Sequence, residues 1–204
     1  MADFSRIALL TDFGASSTYV GQLRLGLAAT LPGTAVIELI SDLPAFRPDL
    51  AAYLLPALVR DLPCGTLYLC VVDPGVGGDR LAIAVEADGN LFIGPDNGLL
   101  ALVCRSALSC CVYRIDWRPE ILSPSFQGRD LFAPVAAALT LGRPLAMTAI
   151  APTSLQGAEW PEDLPKVIYV DSFGNLITGL RAALVHPADS ICVKGQQLSR
   201  AGTF

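Results

Sequence analysis

Apolar residues in this chain fall into short unbroken runs of strand length, separated by stretches in which they recur every three or four positions. The run Arg6–Thr11 predicts a strand, the pattern Tyr19–Leu31 a helix closed by Pro32-Gly33, and AVIELI at 35–40 a second strand. A β-α-β unit of this kind favours parallel pairing. Pro48 and Asp49 suit a helix start, and that helix is expected to run to about Asp61 with a kink at Pro56. A strand at 66–72 follows, then two at 81–86 and 91–94 around Asp88-Gly89-Asn90, which read as a hairpin.

Beyond the hairpin, a helix near Asn97 carries LLALV, a strand covers 111–115, and a helix runs from about Arg129 to Leu141. The alternation predicts an α/β fold: a mixed, mainly parallel sheet with helices on both faces, occupying residues 1–142. Prolines 144, 152, 161 and 165, with Gly142 and Gly157, mark 143–165 as a linker. Residues 166–204 then form a small antiparallel β unit, with KVIYVDSFGNLITGL and a last strand-like piece, ICVKG, before the stop at Phe204. So short a unit either packs on the first domain or a neighbour, or has lost its end.

Composition narrows the function. Hydrophobic residues make up 52% of the chain and charged residues 16%, so a weakly charged surface is expected, one that burial between subunits explains. A net charge of −5 without any basic stripe argues against nucleic acid. No apolar run is long enough for a spanning helix and the N-terminus lacks a secretory pattern, so the expected location is cytoplasmic, away from membranes. Six cysteines without C-x-x-C spacing and a single histidine, His186, give no zinc vocabulary; no metal and no cofactor is expected. Several cysteines lie in apolar runs and read as small core residues, while the adjacent Cys110 and Cys111 keep a redox reading open.

Three strand-like runs end in an acid or amide set in glycine: Asp12 in TDFG, Asp73 in DPGVGG, and Asp96-Asn97 in GPDNG. Strand ends that turn polar in an open α/β sheet make a ligand crevice, so a small-molecule substrate is expected. TDFG is the metal-binding tripeptide of kinases, but the catalytic and Gly-rich loops of a kinase are missing. A carboxylate at this place can instead accept hydrogen bonds from vicinal ribose hydroxyls, or cap the following helix. Glycines between Asp73 and Arg80 allow the chain to bring guanidinium and carboxylate together, as a site or as a structural pair. Asp96 reads as a helix N-cap, with Asn97 beside it, and SFQGRD at 125–130 precedes another helix with Gln127 available to a pocket.

Taken in order, TDFG…YVGQLRLGL, VVDPGVGGDR, GPDNGLL, SFQGRDLFAP and VDSFGNLIT resemble the S-adenosylmethionine hydrolases (adenosine-forming), or hydroxide adenosyltransferases, relatives of the fluorinase and chlorinase. The resemblance runs from about residue 6 to 181. It implies a smaller C-terminal β-barrel, here truncated, and a homotrimer whose active sites lie between one subunit's N-terminal domain and its neighbour's C-terminal domain. The implied reaction is attack of water on the ribose C5′ of S-adenosylmethionine, giving adenosine and methionine. By resemblance Asp12 is the ribose acid, Asp73 and Arg80 belong to a water-activating triad, Asn175 contacts adenine, Asn97 contributes to the substrate site, and Phe126 and Gly128 flank the nucleophile.

Three departures from the pattern stand out. Gln127 occupies the place of the triad histidine and cannot titrate near neutral pH. Ser17 stands where the family has an acid for the methionine ammonium, which implies looser hold on the amino-acid end. The family's chain continues past this one with a strand segment that completes the barrel. These departures leave a second reading, a member that binds adenosine or S-adenosylmethionine with little turnover.

Overall fold

The computed structural model describes residues 4–186 and 188–199. Eleven strands and four α-helices are present among them. The first seven strands form one sheet: β1 (Arg6–Thr11), β2 (Ala35–Ile40), β3 (Thr66–Val71), β4 (Ala82–Ala87), β5 (Asn90–Pro95), β6 (Cys110–Ile115) and β7 (Met147–Ile150), in the spatial order β2-β1-β3-β5-β4-β6-β7. The β1–β2, β1–β3 and β3–β5 pairs are parallel, whereas β4–β5, β4–β6 and β6–β7 are antiparallel. The sheet is therefore mixed in equal parts rather than mainly parallel. Hairpins joined by short turns cannot pair parallel, and β4–β5 is such a hairpin, its two turn residues Asp88 and Gly89 at φ 47° and 78°.

Period-two alternation in the strands feeds two cores. Ile7, Leu9, Leu67, Leu69 and Ile93 face one side, under α1 (Thr18–Thr30) and α4 (Ala133–Thr140). Ala8, Leu10, Tyr68, Cys70 and Phe92 face the other, under α2 (Pro48–Val59) and α3 (Ala101–Ser106). α1 shows why its sequence is helical here: Val20, Leu23 and Leu27 share one buried face, and Ser17 caps its start by accepting from the Tyr19 N–H at 3.1 Å. α2 passes through Pro56 without ending.

The segment read as a linker holds more structure than its prolines suggest. β7 adds an edge strand to the main sheet, and Leu155 is buried in the α2/α3 core. Four residues are too short a run for periodicity to register. After it, β8 (Leu164–Val170) pairs with β9 (Leu176–Gly179), and β10 (Ser190–Val193) with β11 (Gln196–Ser199), as two separate antiparallel pairs among the described residues; the chain stop at Phe204 lies outside them. No closed barrel forms from these four strands. The β8–β9 pair packs against the first unit through Ile168, Tyr169 and Ile177, and the Tyr169 hydroxyl donates to Asp42 at 3.0 Å. No helix among the described residues is long and apolar enough to cross a membrane.

A disulfide joins Cys104 of α3 to Cys110 at the start of β6, so Cys110, one of the adjacent pair with an open redox reading, is linked to Cys104 and not to Cys111, which is a free thiol. Their partnership follows from tertiary geometry, because α3 turns back into β6 within a few residues. Closing so short a loop is worth about 2 kcal/mol in the chain-entropy account. Chemical denaturation with and without a reductant is expected to show a loss of that size on reduction; coincident curves would mean the bond adds nothing to stability.

Candidate active site

β1 lies between β2 and β3, so successive connections leave it in opposite directions along the sheet. A crevice opens where such a reversal occurs, beyond the carboxyl ends of the two central strands. Thr11 ends β1 beside Val71 of β3, and Asp12 and Asp73 follow within two residues of those ends. A cavity of about 340 Å³ occupies the crevice, and Asp12, Phe13, Tyr19, Asp73, Phe126 and Arg129 contribute to its wall.

Asp12 does not cap α1, since Ser17 does. Its carboxylate accepts instead from the backbone N–H of Phe46 at 2.9 Å. Phe46 is held at φ 59°, a left-handed conformation that costs a non-glycine residue energy and recurs at ligand sites. Burial pushes the Asp12 carboxyl above its ordinary pKa; the Phe46 N–H opposes the rise and the charge of Asp73 adds to it. A ligand that donates hydrogen bonds to Asp12 therefore relieves a desolvated charge.

The loop after β3 brings the second acid to its partner. Arg80 Nε donates to both Asp73 oxygens, at 3.1 and 3.0 Å, and Nη2 also donates to Asp73 Oδ2. Nη2 donates further to Gln127 Oε1 at 2.7 Å. The side chains of Arg80 and Asp73 are 10% and 4% exposed, and the guanidinium lies 5.3 Å from the Phe132 ring centroid. Gly77 lets this loop close: at φ 82°, a Cβ there would lie 2.9 Å from the Pro124 carbonyl oxygen. Asp73 thus faces the cavity, while Arg80 and Gln127 complete a buried row that does not form its wall.

Gly128 sits against Phe13 and Val71 at the cavity floor, and Phe126 forms part of the wall. The remaining sequence candidates are elsewhere. Ser17 is engaged as the cap of α1 and is not part of the wall. Asn97 donates from Nδ2 to the Val72 carbonyl at 2.8 Å, bracing the residue before Asp73. Asp96 is not a helix cap: its Oδ1 accepts from the Gln156 N–H at 2.9 Å, and α3 starts only at Ala101, after Asn97 Oδ1 has accepted from the Leu99 N–H. Asn175 lies in the β8–β9 turn, donating to Asp171, and does not reach the cavity of its own chain.

Sequence reasoning passed over Tyr19, Gln22, Phe46 and Arg129, all of which line the cavity. Tyr19, Gln22 and Leu23 stand three and four apart on α1, a spacing that puts them on one face. Phe46 carries no such signal. The fold and the crevice together define an open α/β protein with a cavity at the sheet's switch point.

Comparison with known proteins makes the class specific. Residues 7–149 match the family of the SAM hydroxide adenosyltransferase N-terminal domain, and the chain belongs to that family. The chain is 37% identical to an (R)-S-adenosyl-L-methionine hydrolase of Salinispora tropica, over the whole of this chain and 83% of that protein. It is 36% identical to the Thermus thermophilus protein of the same name, covering 88% and 76% of the two chains. A crystal structure of an uncharacterized conserved protein from Thermotoga maritima superposes with a TM-score of 0.81 at 29% identity, covering 96% of this chain and 83% of that one.

Proposed function

We propose that the protein hydrolyses S-adenosyl-L-methionine to adenosine and L-methionine. The observation that carries this reading is the Asp73–Arg80–Gln127 row, whose carboxylate end opens into the crevice at the sheet's switch point. In the reaction, a water oxygen forms a bond to C5′ as the C5′–S bond breaks and its electron pair moves onto sulfur. The sulfonium leaves as a neutral thioether, so the chemistry asks for no metal or cofactor. The proton lost by water passes to Asp73, the acceptor at the cavity wall, and then to solvent. Arg80 fixes the carboxylate through several hydrogen bonds, so the water is aimed by a group that cannot rotate freely. Asp12 holds the ribose hydroxyls, and Phe126 and Gly128 flank the attacked carbon.

Asn175 and the neighbouring Phe173, which is 90% exposed, suit this reading if they cover the cavity of another copy in a homotrimer. A cytoplasmic location belongs to the same reading. Gln127 favours a second one, a binder of adenosine or S-adenosylmethionine without appreciable turnover, because an amide supplies no proton transfer. Incubation of the pure protein with S-adenosylmethionine, following adenosine and methionine, separates them. Stoichiometric products are expected; calorimetric binding without products would establish the binder instead. Light scattering is expected to give three times the chain mass, and a monomer would remove the shared site.

A further inference from the structure

The proposed chemistry gives no task to Arg129, the one cationic side chain among the described residues lining the cavity. Its guanidinium carbon stands 4.8 Å from the centroid of the Phe126 ring. Nε and Nη2 donate to the Asp130 carboxylate at 2.6 and 3.0 Å, and Nη1 reaches Gln22 Oε1 at 3.5 Å. A guanidinium has five N–H donors, so the pairing with Asp130 leaves the Nη1 edge with only that long contact. The Arg129 side chain is 43% exposed, and a second carboxylate can reach it without displacing Asp130.

Aromatic rings connect this cation to the other end of the cavity. Phe13, next to Asp12 in the chain, packs against Tyr19 with centroids 6.0 Å apart, and Tyr19 packs against Phe126 at 5.9 Å. All three rings line the cavity. The wall therefore reads, in order, an acid, a row of aromatic rings and a guanidinium. A nucleoside sulfonium with an amino-acid tail presents complementary groups in the same order: vicinal hydroxyls, a cation that ring faces attract, and an α-carboxylate. Ser17, the residue in the position expected to hold the ammonium, has its hydroxyl engaged in capping α1.

We propose that Arg129 anchors the α-carboxylate of the substrate, so that the cavity selects a nucleoside sulfonium by the carboxylate of its tail rather than by its ammonium. The proposal rests on the hydrolase reading above. It is tested by steady-state kinetics of the full chain with S-adenosylmethionine and with its decarboxylated analogue, for the unmodified protein, Arg129→Gln and Arg129→Lys. The unmodified protein is expected to favour S-adenosylmethionine, and Arg129→Gln to lose about tenfold of that preference, chiefly through KM, as fits one charge-assisted contact at a partly solvated site. Arg129→Lys is expected to recover part of it.

Equal losses on both substrates in Arg129→Gln would show that Arg129 merely braces Phe126, and would overturn the proposal. Equal efficiency of the unmodified protein on the two substrates would overturn it while leaving the hydrolase reading intact. Failure of the unmodified protein to turn over either would sink both.

Discussion

Asp73→Asn is expected to lower the turnover of S-adenosylmethionine by about 10³-fold, within the range that a positioned acid or base contributes. Asp73 is the member of the Asp73–Arg80–Gln127 row that reaches the cavity, so it is the group that can take the proton of the attacking water. Asparagine keeps the shape and one acceptor but offers no negative charge. It also leaves Arg80, itself 10% exposed, without its counter-ion, and breaking a buried pair costs about 3–5 kcal/mol in the general case. The retained Asn oxygen and Gln127 both still accept from Arg80, which places the cost at the low end.

Two readouts separate chemistry from folding. Adenosine affinity, which the proposed mechanism assigns to Asp12, is expected to survive in Asp73→Asn, and the denaturation midpoint to fall without loss of the cooperative transition. A variant that binds adenosine and does not hydrolyse locates the proton transfer at Asp73. A variant that keeps the original rate would mean that the water is aimed by some other group.

Much of the crevice was legible in the sequence because it is built by local rules. A buried strand that ends in a polar, glycine-rich turn announces both its burial and its edge, which is how Asp12 and Asp73 stood out. The β1-α1-β2 unit and the Asp88-Gly89 hairpin are local for the same reason. What remained hidden depends on partners far along the chain. Asp96 has the composition of a helix cap, yet the Gln156 N–H, sixty residues on, takes its carboxylate. Cys104 and Cys110 are only six residues apart, yet no spacing rule announces their bond, which needs α3 and β6 placed side by side. β7 is an edge strand of four residues in a proline-rich stretch, and pairing with β6 fixes it where no periodicity could. Phe46 reaches the cavity through a backbone conformation disfavoured for its residue type, which no side-chain pattern encodes.

Gln127→His tests the point at which this chain departs from the pattern it otherwise follows. Gln127 Oε1 accepts from Arg80 Nη2 at 2.7 Å, so an imidazole in its place must be neutral to accept the same bond. The adjacent guanidinium disfavours a second cation, and the histidine is expected to titrate below its ordinary value of about 6.5. The rate should therefore rise as pH climbs through that depressed value and level off above it, because only the neutral ring has a free lone pair. That lone pair accepts the proton once the ring turns from Arg80, while Arg80 stays paired with Asp73. At neutral pH a gain of about 10²-fold is expected, the lower limit for added general acid–base catalysis. The unmodified protein should show no such limb, since an amide does not titrate there. A gain accompanied by the new limb would mean that the missing imidazole limits turnover. A gain without the limb would mean that the ring only repositions Asp73 through Arg80, and no gain at all would mean that Asp73, held by Arg80, already aims the water without help from this position.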